Sequence, residues 1–187
     1  MEGRYVRLEP LSVGHHAALS EVGLEPELWR WTVGQVLTPE DMRGYIDSAL
    51  QAQREGTALP FAIVELASGR AVGSTRFMNI DKPNRHVEIG STWVASAWQR
   101  SAVNSEAKYL LLRQAFEEMH CMRVELKTDS LNEKSRAAIL RLGAKEEGIF
   151  RNHMVCYGGR IRHSAWYSII DSEWPEVQAR LAARLYA

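Results

Sequence analysis

Cysteine is scarce. Cys121 and Cys156 are the only two among 187 residues, too few for a disulfide scaffold and suited to a reducing compartment. No His or Cys pair stands at the usual ligand spacing, so no metal is expected. An excess of one charge is missing too: 23 basic and 23 acidic residues give a formal net charge of zero, with no long block of like sign. That excludes a nucleic-acid binder working by neutralisation of many phosphates. No stretch approaches the ~20 apolar residues that cross a bilayer, and MEGRYVRLEP lacks the apolar centre of a signal peptide. Internal repeats and low-complexity linkers are absent. The expectation is a soluble, cytoplasmic chain forming a single domain over 1–187, with neither nucleic-acid nor membrane partners.

What is present is a regular alternation of periodicities. RYVRLEPL (4–11) alternates as a strand, and Ser12 caps a helix to about Val22, in which His15 and His16 read as solvated. Thr38-Pro39-Glu40-Asp41 opens a helix whose apolar face is Met42, Tyr45, Ile46, Ala49 and Leu50, with Gly56 at its end. LPFAIVEL (59–66), RAVGSTRFMNI (70–80) and HVEIGSTWV (86–94), joined by turn sequences, predict an antiparallel meander. A helix over about 102–119, a strand at 122–128 and a helix at 130–143 follow, the last with Ser130 and Glu133 in capping-box spacing. FRNHMVCY and RIRHSAWYSII form a hairpin across Gly158-Gly159, and a final helix runs from about 173 to 186. The fold class expected is α/β (α+β): a mixed, mostly antiparallel sheet of about seven strands with helices on both faces.

One stretch carries chemistry. WQRSAVNSEA (98–107) brings small, polar residues to the start of a long helix. Amides there have no intrahelical partner, and the helix dipole adds partial positive charge, so the loop either caps its helix or cradles an anion. The residues alone leave both open.

The segments around it narrow the choice. A strand ending STWV, a short ASAW connection and then Gln99-Arg100-Ser101-Ala102-Val103-Asn104 resemble motif A of the GNAT superfamily of acyl-CoA-dependent N-acetyltransferases, Gln/Arg-x-x-Gly-x-Gly/Ala. Ala102 and Asn104 stand where the family has small residues or glycine. ELKTDSLNEKSRAAILRLGAKEEGIFR resembles motif B, with Asn132, Ser135 and Gly143 at the spacing of the ribosomal-protein N-terminal acetyltransferase branch. The resemblance covers about Tyr5 to Ile170. The tyrosine that many members place four residues before the motif B glycine is Ile139 here, so the branch points to Ser135 as the group serving the leaving sulfur.

The resemblance implies acetyl-CoA as co-substrate, lying between two splayed strands. Backbone contacts would come from Trp93 and Val94, and pyrophosphate contacts from Gln99, Arg100, Ser101, Ala102, Val103 and Asn104, with Asn132 and Ser135 beside them. It implies acetyl transfer to a primary amine, on a small molecule or a protein N-terminus, in a monomer or homodimer. Glu88 would be the general base. By simple alternation it shares a face with Gly90 and Thr92, and the family places a bulge on this strand. A solvent-facing Glu88 and a His153 base stay open as alternatives. Trp29, Trp31 and Tyr45 read first as core material. A non-catalytic acyl-CoA sensor on the same fold is the competing reading.

Overall fold

The computed structural model describes residues 1–187. Seven strands form one sheet in the order β1-β2-β3-β4-β5-β7-β6: Val6–Pro10, Ala58–Glu65, Arg70–Asp81, His86–Val94, Arg123–Asp129, Lys145–Val155 and Ile161–Ile170 for β1 to β7. Every pairing is antiparallel except β4 with β5. Helices α1 to α6 are His16–Gly23, Pro26–Trp29, Pro39–Arg54, Ala102–Arg113, Glu133–Leu142 and Trp174–Tyr186. No helix is long and apolar enough to cross a membrane.

Two cores sandwich the sheet. Residues of α4, α5 and α6 pack with Val87, Ile89, Val94, Val124, Leu126, Tyr167 and Ile169 on one face. On the other, Leu19, Trp29, Met42, Ile46 and Ala49 from α1 to α3 pack with Ala62, Val64, Ala71 and Trp93. The second face of β5, β7 and β6 carries Lys127, Arg162, Ser164, Trp166 and His153 instead of an apolar helix contact. This face is a polar groove, closed at one end where Tyr157 N–H donates to the Val33 carbonyl at 2.8 Å and Arg160 lies over the Trp31 ring.

Local chemistry explains most boundaries. Thr38 caps α3 and accepts from the Asp41 amide, while the Asp41 carboxylate accepts from the amides of Leu37 and Thr38. Gly143, at φ 102°, ends α5. Several expectations are corrected. Ser130 does not cap α5; Asn132 does, accepting the Ser135 amide at 3.1 Å. The Asp129 carboxylate takes the Leu131 amide and holds the preceding turn out of the helix. The strand expected from Phe150 begins at Lys145, because a register shift at Gly148 masks its alternation. The helix expected to 119 turns into a π-helical segment, Gln114–Glu118. His15 is not simply solvated: its Nε2 lies 3.2 Å from Glu9 Oε2.

Candidate active site

The sheet opens where the family resemblance placed the ligand. β4 and β5 pair only at His86–Arg123, Val87–Val124 and Glu88–Glu125, then separate. The edge of β4 beyond Glu88 therefore turns unpaired backbone toward the gap. A bulge sets the angle: Arg76 pairs with Gly90 and Ser74 with Trp93, so β4 spends one extra residue at Ser91–Thr92, and Ser91 takes a left-handed φ of 45°. The bulge changes face parity. Trp93 joins Glu88 and Gly90 on the groove side, against Trp29, while Thr92 crosses to the α4 side. Simple alternation had put Thr92 with Glu88; the extra residue reverses it.

Glu88 is not a solvent-facing carboxylate. It is 2% exposed at the apex of the opening. Its Oε2 accepts from Asn79 at 2.7 Å and from Lys127, which reaches across from β5, at 2.9 Å. Its Oε1 lies against Gly90, where a Cβ would come within 2.9 Å. Lys127 in turn sits 4.9 Å from the Trp166 ring centroid. His153 is brought to the same groove. Its Nδ1 is 3.0 Å from Ser164 Oγ and its ring packs edge-on against Trp166. Burial, then the fields of Lys127 and Arg162, lower its pKa and favour the neutral ring.

The loop before α4 presents bare backbone amides at the start of the helix. Arg100 takes a left-handed φ of 62°, turning the chain into α4. Ser101 caps the helix, accepting from Val103 N–H at 3.3 Å and donating to the Trp98 carbonyl at 2.6 Å. The cap satisfies one of the first amides, and those of Ala102 and Asn104 keep no intrahelical acceptor. Both residues have ordinary helical backbone, so alanine and asparagine cost no strain at these positions. Beside them opens a cleft of about 270 Å³, lined by Tyr5, Arg100, Ser101, Ala102, Ser105 and Arg184. Gln99 points the other way: its Nε2 donates to the Val94 carbonyl at 2.8 Å and its Oε1 accepts from Lys134. That contact ties the loop to the first turn of α5, where Ser135 is half-buried, and it occupies one backbone group expected to be free.

Of the aromatics, Trp29 is core as expected, its indole N–H donating to the Gly23 carbonyl. Tyr45 does more: its Oη lies 3.2 Å from the Ser91 carbonyl and 3.3 Å from Ser74 Oγ, bracing the bulge.

Lys108 was not foreseen. It lies in the apolar run of α4, buried, and donates from Nζ to Thr92 Oγ1 at 2.7 Å; Thr92 is itself 2.7 Å from Thr75 Oγ1. No carboxylate is within ion-pair distance. Burial lowers its pKa from 10.5 to about 7, against a smaller upward pull from Glu88. The unfolded chain therefore binds more protons than the folded one between about pH 7 and 10.5, and stability rises with pH through that window. Lys108→Met removes this dependence. Its stability advantage over wild type is greatest at pH 7 and below, and shrinks by about 1.4 kcal/mol per pH unit above that. Urea titrations of both proteins at pH 7.5, 8.5 and 9.5 check this; a constant difference across the three refutes it.

A model described as an acetyltransferase (GNAT) domain matches residues 6–145. The chain belongs to the GNAT acetyltransferase family. Among relatives of this chain, a Bacillus subtilis (strain 168) protein named "Putative ribosomal N-acetyltransferase YdaF" is 34% identical over 110 residues, 58% of either chain. The chain thus matches a little over half the length of that curated relative. The crystal structure of a GCN5-related N-acetyltransferase from Brucella melitensis is 35% identical, with a TM-score of 0.91 over 98% of this chain and 84% of that one. Mycobacterium smegmatis RimJ, solved with CoA-disulfide, is 25% identical, with a TM-score of 0.81 over 96% and 88% of the two chains. The GNAT fold expected from sequence is the fold observed. The acetyltransferases among these relatives give the non-catalytic sensor no support.

Proposed function

We propose that this GNAT domain transfers the acetyl group of acetyl-CoA to a primary amine by direct attack, with no covalent acetyl-enzyme. The observation that carries the proposal is the opening between β4 and β5, with the bare amides of α4 at one end and the buried Glu88 carboxylate at its apex. The amides of residues 100–104, with Arg100 and Arg184 near them, hold the phosphates. The edge of β4 that faces the gap at Trp93 and Val94, where Gln99 already holds the Val94 carbonyl, receives the extended pantetheine arm as an additional strand would be received. A backbone N–H near Val94 polarises the thioester carbonyl. Glu88 takes the ammonium proton, and Ser135, beside Asn132 at the start of α5, serves the departing sulfur.

The acceptor is an α-amine or a comparable small-molecule amine. An α-amine of pKa ~7.8 is roughly a tenth neutral at pH 7, whereas a lysine side chain near 10.4 is under a thousandth neutral. A carboxylate already engaged by Lys127 and Asn79 meets the first demand more readily. The name of YdaF, a putative ribosomal N-acetyltransferase, favours a ribosomal acceptor as one class.

Thiol release from acetyl-CoA in the presence of a panel of amines and N-terminal peptides tests the activity; release no faster than without amine would refute it. The phosphate site has its own test. Ala102→Asp is expected to weaken acetyl-CoA binding at least a hundredfold, because the carboxylate repels the phosphates from the amides they need. Asp is well tolerated at the first helical position, so the fold persists. Calorimetry showing unchanged affinity would remove the loop from the binding site.

A further inference from the structure

Arg76 is the groove cation for which the chain supplies no acceptor. Lys127 has Glu88, Arg160 has Asp129 and Arg162 has Ser164. Arg76 is only 9% exposed, yet it makes no side-chain hydrogen bond and no ion pair, and its Nε is sealed from solvent without a partner. Its guanidinium lies 5.0 Å from the Tyr45 ring centroid. A ring face attracts the charge but accepts none of the five N–H donors. Folded chains leave few buried donors unmet, and a guanidinium is shaped to grip a carboxylate with two parallel bonds. Position supplies the second half of the argument. Arg76 faces Gly90 directly across β3 and β4, and Met78 faces Glu88, so Arg76 and Glu88 are diagonal neighbours on one side of the sheet. Gly90 adds no side chain of its own there; the Met78 sulfur and Glu88 Oε1 lie over it, 2.6 and 2.9 Å from where a Cβ would stand.

We propose that Arg76 reads a carboxylate on the acceptor, so that preferred substrates are primary amines with a carboxylate close to the nitrogen. The amine lies toward Glu88 and the carboxylate toward Arg76. Free α-amino acids and peptide N-termini followed by an acidic side chain share this chemistry. The inference rests on the amine-acetylation reading above.

The test measures kcat/KM with acetyl-CoA for matched pairs: α-amino acids against their α-amides, and a peptide beginning Ser-Asp against one beginning Ser-Asn. In wild type the acid is favoured at least tenfold in one arm, which identifies the source. In Arg76→Met that ratio falls to within twofold, through KM; Arg76→Lys, charged but without the fork, lies between. A wild-type ratio near one in both arms, or a ratio that persists in Arg76→Met, overturns the proposal. If no amine is acetylated, the activity itself fails, and calorimetry with CoA present still decides the Arg76 question. Binding of N-acetyl amino acids but not their amides, lost in Arg76→Met, supports it; equal binding, or none, refutes it.

Discussion

Glu88→Gln lowers kcat/KM by roughly 10²–10⁴, with the larger loss on amines of higher pKa, because those depend most on a base. Glutamine keeps the volume and one accepting oxygen for Asn79 and Lys127. It also leaves the Lys127 ammonium without its counter-charge, and breaking a buried pair is costly in its own right. The double variant Glu88→Gln/Lys127→Met removes that stray cation. It stays as slow as the single variant if proton transfer is what was lost. Steady-state rates with an α-amine and a lysine-like amine separate the effects. A single variant within about threefold of wild type on both amines would clear Glu88, leaving the neutral His153 in the same groove as the alternative base.

The second large effect concerns stability. Glu106 lies on α4, fully buried, and its carboxylate accepts the backbone N–H groups of Arg4, Tyr5 and Val6 at 2.6–2.8 Å. Three amides aimed at one carboxylate are charge-assisted bonds, and truncation strands all three donors. Glu106→Ala is expected to cost roughly 3–5 kcal/mol, which for a chain of this size lowers Tm by roughly 6–20 °C. Glu106→Gln, keeping one acceptor oxygen, falls between. Calorimetric melts check the order; a shift under about 2 °C for the alanine variant would mean water replaces the carboxylate without loss.

Most of the architecture was legible because strand and helix periods are local. The meander, the long helix behind the loop and the final amphipathic helix all follow from apolar spacing and turn residues. The start of α4 was legible because its small residues and its cap lie together in the chain. The interior of the site was not. Lys127 and Asn79 reach Glu88 from two other strands, and only folding reveals such meetings. Glu106 and Lys108 gave a weak signal, two charges inside the otherwise apolar run of α4, but nothing local says which partners a buried charge finds. The α5 cap was misplaced because Ser130 and Glu133 match a common pattern, whereas Asp129 had already captured the turn. Unpartnered Arg76 is invisible in sequence, since any arginine on a strand reads as solvated.

The bulge at Ser91 has a consequence for how the chain tolerates change in length. The extra residue is Ser91: without it, plain alternation from Gly90 would still put Thr92 toward α4 and Trp93 toward Trp29, so its deletion keeps both faces and removes the bend. What is lost is the Ser91 carbonyl that Tyr45 Oη reaches at 3.2 Å, and with it the bulge that sets the angle of β4 at the opening from β5. A deletion at the exposed Lys82–Arg85 turn, by contrast, leaves β4 beyond it unchanged and puts at risk the bond from the Met122 amide to the Arg85 carbonyl, 2.7 Å. Length variation among chains of this design is therefore expected to collect in the turn before β4 and to be missing from the four residues that end it.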